Sequence, residues 1–191
     1  MKEEKQVTAY LEAVGRTLQQ LSGASIAAIE RALLATYDCD STIFTCGNGG
    51  SAATSSHFAL DLAKGTRPAP AKRLVRALAL TDSAPLLTAW ANDTDYAQVF
   101  ARQLEVWFRP GDLLFAISAS GNSGNVLSAA EFIREHQGVV CALTGYDGGK
   151  LAPLATHALI VPSDDIELIE DCHSVLCHQF TRLLRERIAA V

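Results

Sequence analysis

Thr42-Ile43-Phe44-Thr45-Cys46-Gly47-Asn48-Gly49-Gly50-Ser51 decides the fold. A short β-prone run meets a glycine cluster, and the cluster opens onto a helical stretch at 51–63. That is how a strand-to-helix unit begins. Toward the C-terminus the pattern repeats. Residues 74–80 read as a second strand, followed by helical stretches at 83–91 and 96–108. Residues 112–117 form a third strand, which ends in Ser118-Ala119-Ser120-Gly121-Asn122-Ser123 and a helix at 123–136. A fourth strand at 139–143 ends in Thr144-Gly145-Tyr146-Asp147-Gly148-Gly149. A fifth, at 157–161, precedes a last helix at 165–187. Strands alternate with helices, and most strands are continuous apolar runs. The expected fold is α/β, with a parallel sheet covered on both faces. In such sheets the ligand lies beyond the carboxyl ends of the strands, where these loops fall.

Toward the N-terminus, Val7, Leu11, Val14, Leu18 and Leu21 keep a helical rhythm. Ser22-Gly23 breaks it, and a second helix is expected at 25–37. These helices precede the first strand and suit packing on a partner subunit. The 191 residues make one domain: a helical oligomerisation segment at 1–36 and a ligand-binding core at 37–191. Composition is that of a globular chain, 49% hydrophobic and 19% charged. A net charge of −5 gives no footprint for nucleic acid. The charged start, Met1-Lys2-Glu3-Glu4-Lys5, has no apolar run behind it, and no stretch reaches membrane-span length, so a cytoplasmic protein is expected. Five cysteines at positions 39, 46, 141, 172 and 177 lack metal-site spacing and read as free thiols. The basic stretch 67–73 is the one expected flexible loop.

The two Gly/Ser loops are expected to bind phosphate. Each joins a strand to a helix N-terminus, where backbone N–H groups are unpaired and the helix dipole favours an anion. Ser118, Ser120 and Ser123 add neutral donors. No Lys follows the glycines, so neither loop is a Walker A motif, and G-x-G-x-x-G is absent from both. A tight strand-to-helix turn explains either loop alone. Two such loops on one sheet favour an anion.

On these residues the chain resembles the phosphosugar-binding SIS (sugar isomerase) domains, and more closely the phosphoheptose (sedoheptulose 7-phosphate) isomerases. The resemblance rests on Cys46 to Ala53, His57-Phe58, Leu87 to Asp93, Val99 to Gln103 and Ile117 to Ser123. It continues through Ala142 to Gly145, Gly148-Gly149 and the last helix from Glu170 to His178. It implies a three-layer sandwich with a five-stranded, flavodoxin-like parallel sheet, and a homotetramer with active sites at subunit interfaces. It implies that Ser118, Ser120 and Ser123 hold the phosphate and that Asn48, Ser51 and Asp93 line the sugar. Gly49, Gly50, Ala119 and Glu170 complete the substrate site.

His57 and Asp61, four apart, share a helix face. Glu170 and His178, eight apart on the last helix, can converge only on a neighbouring element. Two imidazoles and two carboxylates suit tetrahedral zinc, although an i,i+4 His/Asp pair is more often a surface or interface hydrogen bond. The resemblance favours the metal, with Zn2+ held by His57, Asp61, Glu170 and His178. It makes Asp61 and His178 the acid/base pair of an aldose–ketose isomerase working through an enediol, with sedoheptulose 7-phosphate as substrate and D-glycero-D-manno-heptose 7-phosphate as product. Two positions depart from the family: Asp61 stands where it has Glu, and Glu170 where it has Gln. The shorter side chain reaches roughly 1.5 Å less, a shift that costs about 10²-fold where geometry is tight. The added carboxylate makes a zinc site formally neutral and is expected to bind the ion at least as tightly.

Other residues carry weaker readings. His173 is either a neighbour of the site or a packed interface residue. Asp171 is an alternative to Glu170, and Lys64 or Arg67 is a candidate for substrate contact. His136, His157, Trp90 and Trp107 read as structural. The alternative functions are non-catalytic: a sugar-phosphate sensor, or a relative of the DnaA initiator-associating protein, which shares the motif at 144–149. Ionisable residues at positions 61 and 178 favour the enzyme.

Overall fold

The computed structural model describes residues 2–67 and 73–190, with side chains in the first helix from residue 7 onward. Most of the expected basic loop, residues 68–72, lies outside the described residues. Two helices open the chain, α1 (Lys2–Gln19) and α2 (Gly23–Asp38). Ser22 separates them as expected, capping α2 by accepting the Ser25 N–H at 3.2 Å. The core follows as β1 (Thr42–Cys46), α3 (Gly50–Leu60), β2 (Arg76–Ala79), α4 (Ala84–Asp93) and α5 (Ala101–Trp107). It continues as β3 (Leu113–Ile117), α6 (Gly124–Glu135), β4 (Val139–Thr144), α7 (Leu151–Leu154), β5 (His157–Ile160) and α8 (Ile166–Ala190).

The five strands are all parallel, in the order β2-β1-β3-β4-β5. The chain leaves β1 for one edge, then returns past it to β3. The direction of winding therefore reverses between β1 and β3, and a crevice opens there at the carboxyl ends of the strands. The loops after β1 and β3 are the two Gly/Ser loops.

Successive residues of a strand face opposite sides of the sheet. In β3, Leu113, Phe115 and Ile117 join one core cluster, and Leu114 and Ala116 join the other. The first cluster packs under α2, α3 and α8 through Ile29, Leu33, Phe58, Leu176 and Phe180. The second packs under α5 and α6 through Leu104, Val126, Ala130 and Ile133. The result is the expected sandwich of helices, sheet and helices.

Three local features differ from the sequence reading. The helix expected at 96–108 is a single tight turn, Tyr96–Gln98, followed by the short α5. Past α3 the chain widens into a π-helical turn, Asp61–Gly65. The four-residue α7 was not anticipated.

Candidate functional site

The crevice holds a cavity of about 260 Å³ lined by Asn48, Ser51, Ser118, Ala119, Ser120 and Ser123, with Tyr146, Ile166 and Glu170 closing it. Two helix N-termini, those of α3 and α6, open onto it. Ser118 and Ser123 place their hydroxyl oxygens 3.3 Å apart. Ser123 is the N-cap residue of α6, yet its side chain caps no N–H of the helix. Its hydroxyl is left for the cavity. Helix-start amides, two dipoles and a cluster of hydroxyls suit an anion, and among the described residues that line the cavity no side chain is cationic.

Neighbouring turns brace the loops. Ser118 donates its N–H to Leu143 O at 3.0 Å, and Gly145 donates to Ala119 O at 2.8 Å. Asn48 and Asn125 exchange side-chain amide hydrogen bonds of 2.8 Å in both directions. The Tyr96 hydroxyl adds a third bond, to Asn48 Oδ1, at 3.0 Å. Asn125, buried at the start of α6, thereby ties the first loop to the second across the crevice. Sequence reading missed Asn125 and Tyr96. The burial of Asn125, a polar residue just inside a helix start, depends on the β1–β3 pairing.

Gly50 and Ser51 begin α3, and His57 and Asp61 lie at its other end. Asp61 Oδ2 is 3.7 Å from His57 Nε2 and 3.8 Å from His178 Nε2. The two imidazole rings meet edge to face at 5.0 Å. The aromatic core explains this convergence. Phe58, beside His57, packs on Phe115 with ring centroids 4.7 Å apart, and Phe180, two residues beyond His178, packs on Phe115 at 6.0 Å. β3 thus fixes the spacing of α3 and α8, and the histidines follow.

One ligand atom from each of His57, Asp61 and His178 lies within 4.8 Å of the others. In a tetrahedral zinc site the donors stand roughly 3.3–3.6 Å apart. The trio is close to that spacing, and its chemistry, two imidazoles and a carboxylate, fits such an ion. Glu170, expected as the fourth ligand, stands apart from the trio. Its carboxylate lies against Gly50, where a Cβ would meet Oε2 at 2.6 Å. Glu170 and His178 both face α3, but at opposite ends of it, about 10 Å apart along its axis.

The remaining expected residues fall as follows. Asp93 ends α4, exposed and hydrogen-bonded by the Asn92 side chain at 2.8 Å, outside the cavity lining. Lys64 and Arg67 are exposed and also outside that lining. Asp171 accepts the Tyr10 hydroxyl at 2.8 Å, a bond that pushes the phenol up to about 12 and commits Asp171 to α1. His173 is buried, and burial pushes its imidazole down to about 4. The neutral ring faces Thr144 O with Nε2 at 3.1 Å, which makes Nε2 the donor. His136 is stacked on Phe132 at the end of α6, a structural role. All five cysteines are free, and burial pushes Cys46 up to about 12. Among the described residues no helix is long and apolar enough to cross a membrane.

Comparison with known proteins gives the family. The SIS domain family model matches residues 9–145. The phosphoheptose isomerase of Helicobacter pylori (strain Shi470) is 40% identical over 175 residues, which cover 92% of this chain and 90% of that one. The phosphoheptose isomerase of Mycobacterium tuberculosis (strain ATCC 25177 / H37Ra) is 45% identical over 166 residues, 85% of this chain and 82% of that one. The solved phosphoheptose isomerase from Neisseria gonorrhoeae superposes with a TM-score of 0.87 at 32% identity, covering 96% of this chain and 98% of that one. The chain belongs to the SIS domain family and, within it, to the phosphoheptose isomerases.

Proposed function

We propose that this chain converts D-sedoheptulose 7-phosphate to a D-glycero-D-manno-heptose 7-phosphate, as a cytosolic homotetramer holding one zinc ion per subunit. The observation that carries the reading is the separation of two chemistries along one helix. The start of α3 faces the hydroxyl-lined anion cavity, and its end carries His57 and Asp61, which meet His178 of α8. Ser51 and His57 are about 9 Å apart along the helix axis. An open-chain heptulose 7-phosphate is also two-ended, with the phosphate on C7 and the reacting carbons at C1 and C2.

In this reading Ser118, Ser120 and Ser123 anchor the phosphate, and Asn48, Ser51 and Glu170 orient the sugar hydroxyls. The Asp61 carboxylate takes a proton from C1, giving the enediol, and delivers a proton to C2. His178 exchanges the protons of the two oxygens, so the carbonyl moves from C2 to C1 with no net gain or loss of atoms. His57, Asp61 and His178 would hold the zinc, which when bound polarises oxygens of the substrate. Asp61 is half-buried between two imidazoles, an arrangement that holds the short carboxylate in one place.

Metal analysis followed by an NMR assay tests the proposal. Wild-type protein is expected to carry zinc and to produce the aldose. Asp61→Ala is expected to lower kcat by about 10²-fold or more, and His57→Ala to lose the metal. Undiminished turnover in Asp61→Ala would refute the base assignment, and a metal-free wild-type preparation would refute the zinc.

A further inference from the structure

The turn at 144–149 contains a residue that the chemistry above leaves unused. Tyr146 follows β4 with φ 51°, in the left-handed region, as do only Asp40 and Gln137 among the other described non-glycine residues. A bulky side chain rarely adopts that conformation, and strain of this kind collects at functional sites. Hydrogen bonds on either side hold the backbone there. Tyr146 donates its N–H to Ser163 O at 3.0 Å, and Gly145 donates to Ala119 O in the phosphate loop at 2.8 Å. The side chain is 43% exposed and lines two spaces at once. One is the 260 Å³ anion cavity, and the other is an open cleft of about 570 Å³ on its outer side, next to Asp147 and Asp164. Ser120, a phosphate-loop residue, is the other group lining both spaces.

We propose that Tyr146 is a substrate-positioning residue: its ring walls off the phosphate end of the cavity from the outer cleft. Behind that wall the donors of the Ser118–Ser123 loop meet the phosphate with less competition from water. The wall also separates the anion from the carboxylates of Asp147 and Asp164, which would repel it. The proposal rests on the phosphosugar reading of the cavity.

Tyr146→Gly removes the ring and suits the positive φ, so the fold is retained. Tyr146→Asn, which also tolerates that φ, is the second variant. Both are expected to raise the KM for sedoheptulose 7-phosphate about tenfold, with kcat within about twofold of wild type, and to weaken inorganic phosphate binding by the same factor in calorimetry. Tyr146→Phe, which keeps the ring, is expected to restore wild-type phosphate affinity. Unchanged phosphate affinity in the Gly and Asn variants overturns the proposal, and so does a Phe variant as weak as they are. Turnover by wild-type protein tests the isomerase reading separately, because phosphate binding can be measured whether or not turnover is seen.

Discussion

A methyl group added at Gly50 would lie 2.6 and 2.7 Å from the two carboxylate oxygens of Glu170, whereas one added at Gly47 would lie 2.6 Å from the backbone carbonyl of Ser51 and 2.9 Å from that of Ile117. The two substitutions should therefore fail differently. The end of a glutamate side chain can swing away, but a strand end and a helix start cannot. Gly47→Ala is expected to cost about 1–3 kcal/mol in chemical denaturation. Gly50→Ala is expected to leave stability within about 1 kcal/mol and to act on substrate affinity, because it displaces Glu170 from the cavity wall. His173 gives a test in pH. Its folded pKa, about 4, lies below the unfolded value near 6.5. Below pH 6.5 the unfolded chain binds the proton that the folded chain refuses, so stability is complete above 6.5 and falls as pH drops toward 4. The loss is about 3 kcal/mol by pH 4. Denaturation of His173→Gln across pH 4–7 is expected to show that part of the slope removed. These single-residue environments were not legible beforehand. Nothing adjacent to His173 in the chain signals that its imidazole meets Thr144, or that Glu170 reaches Gly50.

At the scale of elements, the sheet was legible because burial on both faces writes itself as unbroken apolar runs, as in Leu113–Ile117. The glycine clusters that end β1, β3 and β4 marked the carboxyl edge of the sheet, and so the anion site. The split of 96–108 was not legible. Tyr96 spends its hydroxyl on Asn48, a tertiary bond that overrides helical continuity. The π-turn at Asp61–Gly65 was hidden for a similar reason: Arg185 on α8 donates from Nε to Gly65 O at 2.6 Å. Sequence spacing put His57 beside Asp61 but could not bring His178 to them, since that contact depends on how α3 and α8 seat on β3. Phe115 touches both Phe58 and Phe180 and so controls it. Phe115→Leu, which shortens a buried ring and removes its two aromatic contacts, is expected to cost about 1–3 kcal/mol. Loosening the helix pair should weaken zinc binding more than stability alone accounts for. Competitive chelator titration measures that loss.

At the scale of the whole molecule, one chain leaves apolar surface uncovered near its own His57–Asp61–His178 trio. Val7 and Leu11 of α1 are 61% and 65% exposed, Leu60 of α3 is 56% exposed, and Val175 of α8 is 44% exposed. Leu60 directly precedes Asp61, and Val175 lies three residues before His178 on the same helix. The Tyr10–Asp171 bond holds α1 against α8, the helix that carries His178. Scattered exposed leucines are ordinary, but exposed apolar residues on three helices, two of them close in the chain to Asp61 and His178, suit burial by another subunit. The sequence suggested that the N-terminal helix packs on a partner, because its rhythm lay outside the sheet. The family resemblance added that active sites lie at subunit interfaces, and the exposed residues of α1, α3 and α8 are the surface such an interface would use. The expected outcome is specific. Val7→Glu with Leu11→Glu should leave the circular dichroism of the chain intact, since neither side chain is in the core, while sedimentation shows a smaller assembly than wild type. Activity should fall with the assembly, because separated subunits leave His57, Asp61 and His178 open to water. If the double variant keeps the wild-type mass, α1 is not the contact. If it dissociates with full turnover, each chain carries a complete site.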